Sequence, residues 1–359
     1  MIYSIFPSRD ATIYENSESL NTGIDEILEL TKIVSSSKQP GVSNTRILID
    51  FDTSEISASV ASGEISGSDG LSPKYYLKVF NSIQDQVPYS YTLAAAPISQ
   101  SWDMGIGKLP YYPSVVEGAS WKYRDGQTAG TQWSSSGGTT VTESGYVVTQ
   151  VFNNTTYDIE MDVSTIITSS WIQGALGYQN NGILIQRSGS QETDGTRYGS
   201  LKYFSKETHT IFAPRLEVRW NDSQFATGSL TALTGDSIGV FTSNLQGEYK
   251  EGAKARIRLL GRELHPAKAY TTTATAASPK YLPSSSYYSI VDVATNTTIV
   301  PYNTSYTKIS LDSSGNYFNF WMNTLLPERV YKIEVRVDSR QYAGQQEYFT
   351  CDTVFKVVR

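Results

Sequence analysis

Between residues 329 and 338 the chain reads RVYKIEVRVD, where Tyr331, Ile333, Val335 and Val337 alternate with Lys332, Glu334, Arg336 and Asp338. Successive side chains of an extended chain point to opposite faces, so a period of two writes one apolar and one charged face onto a strand. Strand-like runs recur at 46–52 (RILIDFD), 74–80 (KYYLKVF), 145–152 (GYVVTQVF), 157–163 (YDIEMDV), 182–188 (GILIQRS) and 215–220 (RLEVRW). Gly, Asn, Ser or Asp clusters bound each of them, as strand ends require. Helical periodicity is scarce. Its best case is DVSTIITSSWIQG at 162–174, with Val163, Ile166, Ile167 and Trp171 on one face and Gly174 as a terminator. A second stretch near 54–62 is too rich in serine to count as a helix. The chain is expected to be all-β with one short helix.

Regular strands pause after RLEVRW. The stretch NDSQFATGSLTALTGDSIG is rich in Gly, Ser and Thr, and strands resume at KARIRLL, residues 254–260. This divides the chain into a first domain at 1–222, a linker at 223–250 and a second domain at 251–359, each of a size that suits one β-sandwich. No repeat with a period of 20–50 residues runs along the chain, which argues against a solenoid or propeller. The first domain holds a long loop at 99–143 carrying Trp102, Tyr111, Tyr112, Trp121, Tyr123 and Trp133. Long loops in compact domains are often functional.

Charge and cysteine usage exclude several functions. The net charge is −6, with Lys and Arg spread thinly, so the basic stripe that nucleic-acid binding requires is missing. One cysteine, Cys351, rules out an intramolecular disulfide framework and a multi-thiolate zinc site; its strand setting suits a small buried apolar residue. No stretch of 18 apolar residues offers a membrane-spanning helix, and MIYSIFPSRD lacks the basic and apolar regions of an export signal. Synthesis in a cytoplasm without export is the expectation. The Asn-x-Ser/Thr sequons at Asn153, Asn154, Asn221, Asn296 and Asn303 read as chance in a chain rich in these residues.

Catalytic chemistry finds little to work with. The two histidines, His209 and His265, fall in different expected domains, and no Gly-x-Ser-x-Gly, His-Glu-x-x-His or phosphate-binding glycine loop is present. The chain is expected not to be an enzyme. The aromatic residues carry more information. Tyrosine is abundant at 25 residues, and its amphipathic ring suits both sugar stacking and protein–protein contact. In the long loop, Tyr111, Tyr112, Trp121, Tyr123 and Trp133 are the candidate contact residues, whereas Trp102 and Trp171, which fall within motifs of the family resemblance given next, are expected in the core.

Taken in order, DATIYENSESLNTG, ILEL, RILIDFD, YYLKVF, SWDMGIG, YDIEMDVSTIITSSWIQG, NNGILIQRS and APRLEVRW resemble the motif series of DNRLRE-type domains over residues 5–220. Those domains are jelly-roll β-sandwiches related to carbohydrate-binding modules and found in cell-surface and phage structural proteins. The chain departs from that pattern by an expanded 99–143 region and a Ser/Gly insertion at 57–72. Further on, LLPERVYKIEVRV is similar to the strand entry of fibronectin III and immunoglobulin-like domains, with Leu325, Pro327 and Tyr331 in the Leu-x-Pro-x-x-x-Tyr arrangement. There the tyrosine hydroxyl bonds backbone at a sheet corner.

The resemblance implies a jelly-roll β-sandwich followed by a smaller immunoglobulin-like sandwich, in a structural protein of a tailed-phage virion. Its expected partners are other virion proteins, in multiple copies with symmetric contacts; the alternative is a module that recognises carbohydrate or a host surface through the aromatic loop. No cofactor is expected beyond a structural Ca²⁺, which jelly rolls often hold. Asp10, Asp50 and Asp52 are its candidate ligands, since Asp50 and Asp52 alternate onto one face of LIDFD and hard cations take several oxygens.

Overall fold

The computed structural model describes residues 1–34, 42–68, 70–127, 130–143, 145–153, 155–168, 179–235, 237–265 and 279–359. The chain is nearly all β, built from mainly antiparallel sheets in sandwiches, with two parallel edge pairs, Thr231–Ala232 on Lys280–Tyr281 and Glu248–Lys250 on Gln346–Val358. Its contacts group it into two units. An N-terminal unit comprises Ser4–Ala61 and Lys74–Glu217, and a C-terminal unit comprises Met1–Tyr3, Ser62–Pro73 and Val218–Arg359.

The strands up to the division are β1 (Ile2–Ile5), β2 (Arg9–Tyr14), β3 (Ile27–Val34), β4 (Val42–Asp50), β5 (Lys74–Val79), β6 (Asn81–Asp85), β7 (Tyr91–Pro97), β8 (Val148–Phe152), β9 (Ile159–Asp162), β10 (Ile183–Arg187), β11 (Ser200–Phe204) and β12 (Arg215–Arg219). One sheet runs β6-β11-β3-β4-β10-β7-β8 with β2 also paired to β4; another runs β1-β12-β5-β9. Strand β4 is the hub of the first. Its Ile47, Leu48 and Ile49 pair with Thr12, Ala11 and Asp10 on one side and with Ile185, Leu184 and Ile183 on the other.

All six of those Ile and Leu side chains are fully buried, although they alternate between two faces of the sheet. A run that is apolar at every position demands cover on both faces. The 99–143 loop supplies one of the covers. Leu48 and Leu184, with Ala11 and Ile13, pack under Ile98, Trp102, Ala119, Trp121 and Trp133. Gly138 lies so close over this layer that a Cβ would stand 2.6 Å from Leu184 Cδ1.

Helix α1 spans Ser54–Ala61, a stretch whose serine content does not predict a helix. Asp52 at its start accepts the Ser54 N–H at 3.0 Å, and Ile56 is fully buried, so a cap and one anchor outweigh the weak propensity of serine. The expected helix at 162–174 is present as α2 (Ser164–Ile166), with Val163, Ile166 and Ile167 buried; Trp171 and Gly174 lie outside the described residues.

In the C-terminal unit the strands are β13 (Thr231–Ala232), β14 (Ile238–Thr242), β15 (Glu248–Lys250), β16 (Lys254–Glu263), β17 (Lys280–Tyr281), β18 (Ser286–Asp292), β19 (Thr298–Val300), β20 (Ser310–Asp312), β21 (Gly315–Trp321), β22 (Arg329–Asp338) and β23 (Gln346–Val358). They form the sheets β13-β17-β16-β21-β20, with β14 on β16, and β15-β23-β22-β18-β19. The aromatic core includes Tyr288, stacked on Phe318 at 4.0 Å between centroids. On β22, Tyr331, Ile333, Val335 and Val337 are buried as their alternation requires. The Tyr331 hydroxyl donates to the Leu326 carbonyl at 2.9 Å, the backbone bond expected of the Leu-x-Pro-x-x-x-Tyr arrangement. Cys351 is buried, and the loss of water pushes its thiol up to about 12.

Three sequons have a structural use. Asn153, Asn221 and Asn303 each accept, through Oδ1, the backbone N–H two residues on, at Thr155 (2.9 Å), Ser223 (3.1 Å) and Ser305 (2.7 Å). This is the Asx turn, and the following hydroxyl of Thr155 or Ser223 donates to the same oxygen at 2.7 Å. The Asn-x-Ser/Thr pattern here is turn chemistry at strand ends.

Candidate functional site

The loop 99–143 is fastened by a side chain from the first motif. Asn21, fully buried in SLNTG, donates from Nδ2 to the carbonyls of Met104 (2.7 Å) and Ala119 (2.9 Å), and its Oδ1 accepts the Gly107 N–H (2.7 Å). Its backbone N–H donates to the Val115 carbonyl at 2.9 Å. One asparagine thus answers polar groups at four places in the loop, as a buried amide must. The contact is close enough to require glycine at 107, where a Cβ would stand 2.2 Å from the Asn21 carbonyl oxygen.

From this anchor the loop turns outward. Ile24 N–H donates to the Gly107 carbonyl at 3.0 Å, Leu109 N–H to Asp25 Oδ2 at 3.2 Å, and Lys108 Nζ pairs with Glu26 Oε1 at 2.5 Å. The Tyr111 N–H closes a turn onto the Lys108 carbonyl at 3.1 Å. Between these fastenings the apolar side chains face water. Ile106 and Leu109 are exposed, Tyr111 is 43% exposed and Tyr112 99%. Four large apolar side chains exposed within seven residues make this tip the candidate contact surface.

The other contact candidates sit elsewhere. Trp121 and Trp133 are 6% and 5% exposed and belong to the layer over Leu48 and Leu184, which corrects the expectation that they face a ligand. Trp133 Nε1 donates to the Ser120 carbonyl at 2.9 Å, and Arg46 lies over the Trp121 ring at 4.9 Å. Trp102 is in the same layer, as expected, with Nε1 bonded to the Asn181 carbonyl at 2.8 Å. Tyr123 is half-buried beside Lys122, its backbone bridged to Gln132. The signal for the buried tryptophans was the unbroken apolar runs of β4 and β10.

The carboxylates expected to bind Ca²⁺ are kept apart by the register. Arg9 stands opposite Asp50 and Asp10 opposite Ile49, so Asp50 and Asp10 point to opposite faces of the sheet. Asp50 Oδ2 accepts from Arg9 Nε at 2.9 Å and holds that guanidinium 4.7 Å over the Trp102 ring; burial raises its carboxyl. Asp10 Oδ2 accepts the Lys206 N–H at 2.7 Å, and its deep burial pushes the carboxyl up to about 7. Asp52 lies beyond the strand, two residues before the start of α1, and the Ser54 amide holds its carboxyl below the usual range. These residues do not form one ligand set, which corrects the expected face. Among the described residues no cluster of three or more His, Cys, Asp or Glu side chains is placed to hold a metal ion. His209 and His265 are exposed, and they lie in different units.

Comparison of the chain with protein families, with curated proteins and with solved structures finds no match.

Proposed function

We propose that this chain is a non-enzymatic structural component of a tailed-phage virion, in the tail, baseplate, neck or capsid decoration, acting through protein–protein contacts. The observation that supports it is the tip 106–112, where Ile106, Leu109, Tyr111 and Tyr112 are exposed on a segment whose backbone is tied down by Asn21 and Asp25 and whose Lys108 side chain pairs with Glu26. A contact surface ordered in advance loses little entropy when a partner arrives, and tyrosine is among the residues enriched at the centre of such contacts. The virion setting rests on the ordered motif series and on a sequence only 18% charged, rich in hydroxyl and amide groups. Such a component is present in several copies related by symmetry.

Quantitative mass spectrometry of purified particles tests this reading. The expected result is the intact chain at a fixed multiple of the particle number. Particles that are complete and infectious without the chain overturn it.

A further inference from the structure

Strand β8 ends its sheet, paired with β7 on one side only. Which of its backbone groups face outward follows from β7. Toward β10, the Thr92 carbonyl accepts the Ser188 N–H and the Ile98 N–H donates to the Gly182 carbonyl, both at 2.9 Å; on the opposite side, the Pro97 carbonyl accepts the Val141 N–H at 2.9 Å. Alternate residues of a strand send their backbone groups to opposite sides, so Tyr91, Leu93 and Ala95 bond Phe152, Gln150 and Val148. The N–H and C=O groups of Thr149 and Val151 therefore point away from the sheet, and no hydrogen bond among the described residues reaches them.

This edge is held firmly and left open. Phe152 is fully buried and stacks on Tyr91 at 5.0 Å between centroids. Gln150 donates from Nε2 to the Asp158 carbonyl at 3.0 Å and accepts the Glu160 N–H at 2.8 Å, so β8 covers the free edge of β9 while its own edge has no cover. Natural edge strands are guarded against pairing by charge, proline, bulges or cover. Strand β6 carries Asp85, and β9 carries Glu160 and Asp162. Residues 145–153, GYVVTQVFN, hold neither a charge nor a proline, and β8 pairs with β7 without a register shift. Val147 and Val151 are 49% and 64% exposed.

The outward residues Val147, Thr149 and Val151 read the same from either end. A second copy approaching antiparallel about a two-fold axis at Thr149 sets Thr149 opposite Thr149 and Val151 opposite Val147. Each outward N–H and C=O then meets its partner, β-branched side chains face each other, and no like charges are brought together. A copy set in this way on β6 or β9 brings carboxylates toward carboxylates. We infer that β8 is the edge at which two copies of this chain pair, antiparallel, into one continuous sheet. The inference goes beyond the proposed function and does not rest on the tip 106–112; either can fail alone.

Sedimentation equilibrium of the full chain tests it. The expected result is a mass that rises with concentration toward twice that of the monomer. Thr149→Lys, at an exposed position, sets two ammonium groups across the axis and weakens the dimer at least roughly tenfold, with an unchanged melting temperature under monomeric conditions. Mild oxidation of Thr149→Cys gives a disulfide-linked dimer, because residues facing each other in such a pair stand about 5.5 Å apart between Cα atoms. Val151→Cys does not, since the two copies of residue 151 stand more than about 13 Å apart. The native Cys351 is buried and takes no part. A chain that stays monomeric at every concentration, a dimer that Thr149→Lys leaves unweakened, or cross-linking through Val151→Cys as efficient as through Thr149→Cys each overturn the inference.

Discussion

Asn21 Oδ1 accepts the backbone N–H of Gly107 at 2.7 Å, joining the opening motif to the long loop across 86 positions. With the two bonds from Nδ2, this makes Asn21 a central fastening between the opening motif and the loop. Asn21→Ala leaves the Gly107 amide and the Met104 and Ala119 carbonyls without this partner, and buried polar groups so orphaned cost about 1–3 kcal/mol each. A loss of roughly 3 kcal/mol is expected in denaturant unfolding followed by tryptophan fluorescence, with faster hydrogen exchange at Gly107. A change under about 0.5 kcal/mol would show that the loop is held by other means.

Asp10 gives the N-terminal unit a pH dependence of unusual sign. Burial raises its folded-state pKa to about 7 against an ordinary value near 3.8, opposed by the Lys206 amide and reinforced by the charge of Glu207. The folded state then holds a proton that the unfolded state releases, so stability is full at pH below about 4 and falls as pH rises toward 7. The full swing is on the order of 4 kcal/mol. Asp10→Asn keeps an acceptor for the Lys206 N–H and removes the titration. Comparing unfolding at pH 5 and pH 8, the variant is expected to lose most of the difference that the native chain shows.

The tryptophans and the tip separate stability from contact. Trp121→Ala or Trp133→Ala opens a cavity over Leu48 and Leu184 and is expected to cost about 3–5 kcal/mol. Tyr112→Ala, at a side chain 99% exposed, is expected to stay within about 0.5 kcal/mol. Thermal melts of the three variants check both statements; a destabilised Tyr112→Ala would place that ring in the fold.

In the C-terminal unit, Tyr331→Phe keeps the buried ring and removes the hydroxyl that donates to Leu326. A net hydrogen bond is worth about 1 kcal/mol, and the Leu326 carbonyl loses this partner, so a loss of about 1–2 kcal/mol is expected in denaturant unfolding. An unchanged midpoint would mean that water replaces the hydroxyl at no cost.

Period-two alternation made β22 legible down to the face of each residue, and the Leu325, Pro327, Tyr331 spacing carried its corner bond. The continuous runs of β4 and β10 carried a further message, a layer on each face, that a strand-by-strand reading passed over. For that reason Trp121 and Trp133 were expected at a surface they do not reach. Helix α1 was obscured because its stability comes from the Asp52 cap and the burial of Ile56, not from serine propensity. The separation of Asp10 from Asp50 depends on the register of β2 against β4, which pairing fixes and neither segment states alone.

On the proposed function, the tip 106–112 seats against another protein of an assembled particle. A photo-cross-linking amino acid placed at position 112, in host cells where particles form, tests it most directly. The expected result is that purified, irradiated particles contain this chain joined through residue 112 to a second virion protein or to another copy of itself. Particles that incorporate the substituted chain but give no adduct from position 112, while an equivalent probe on another exposed loop does, would contradict it.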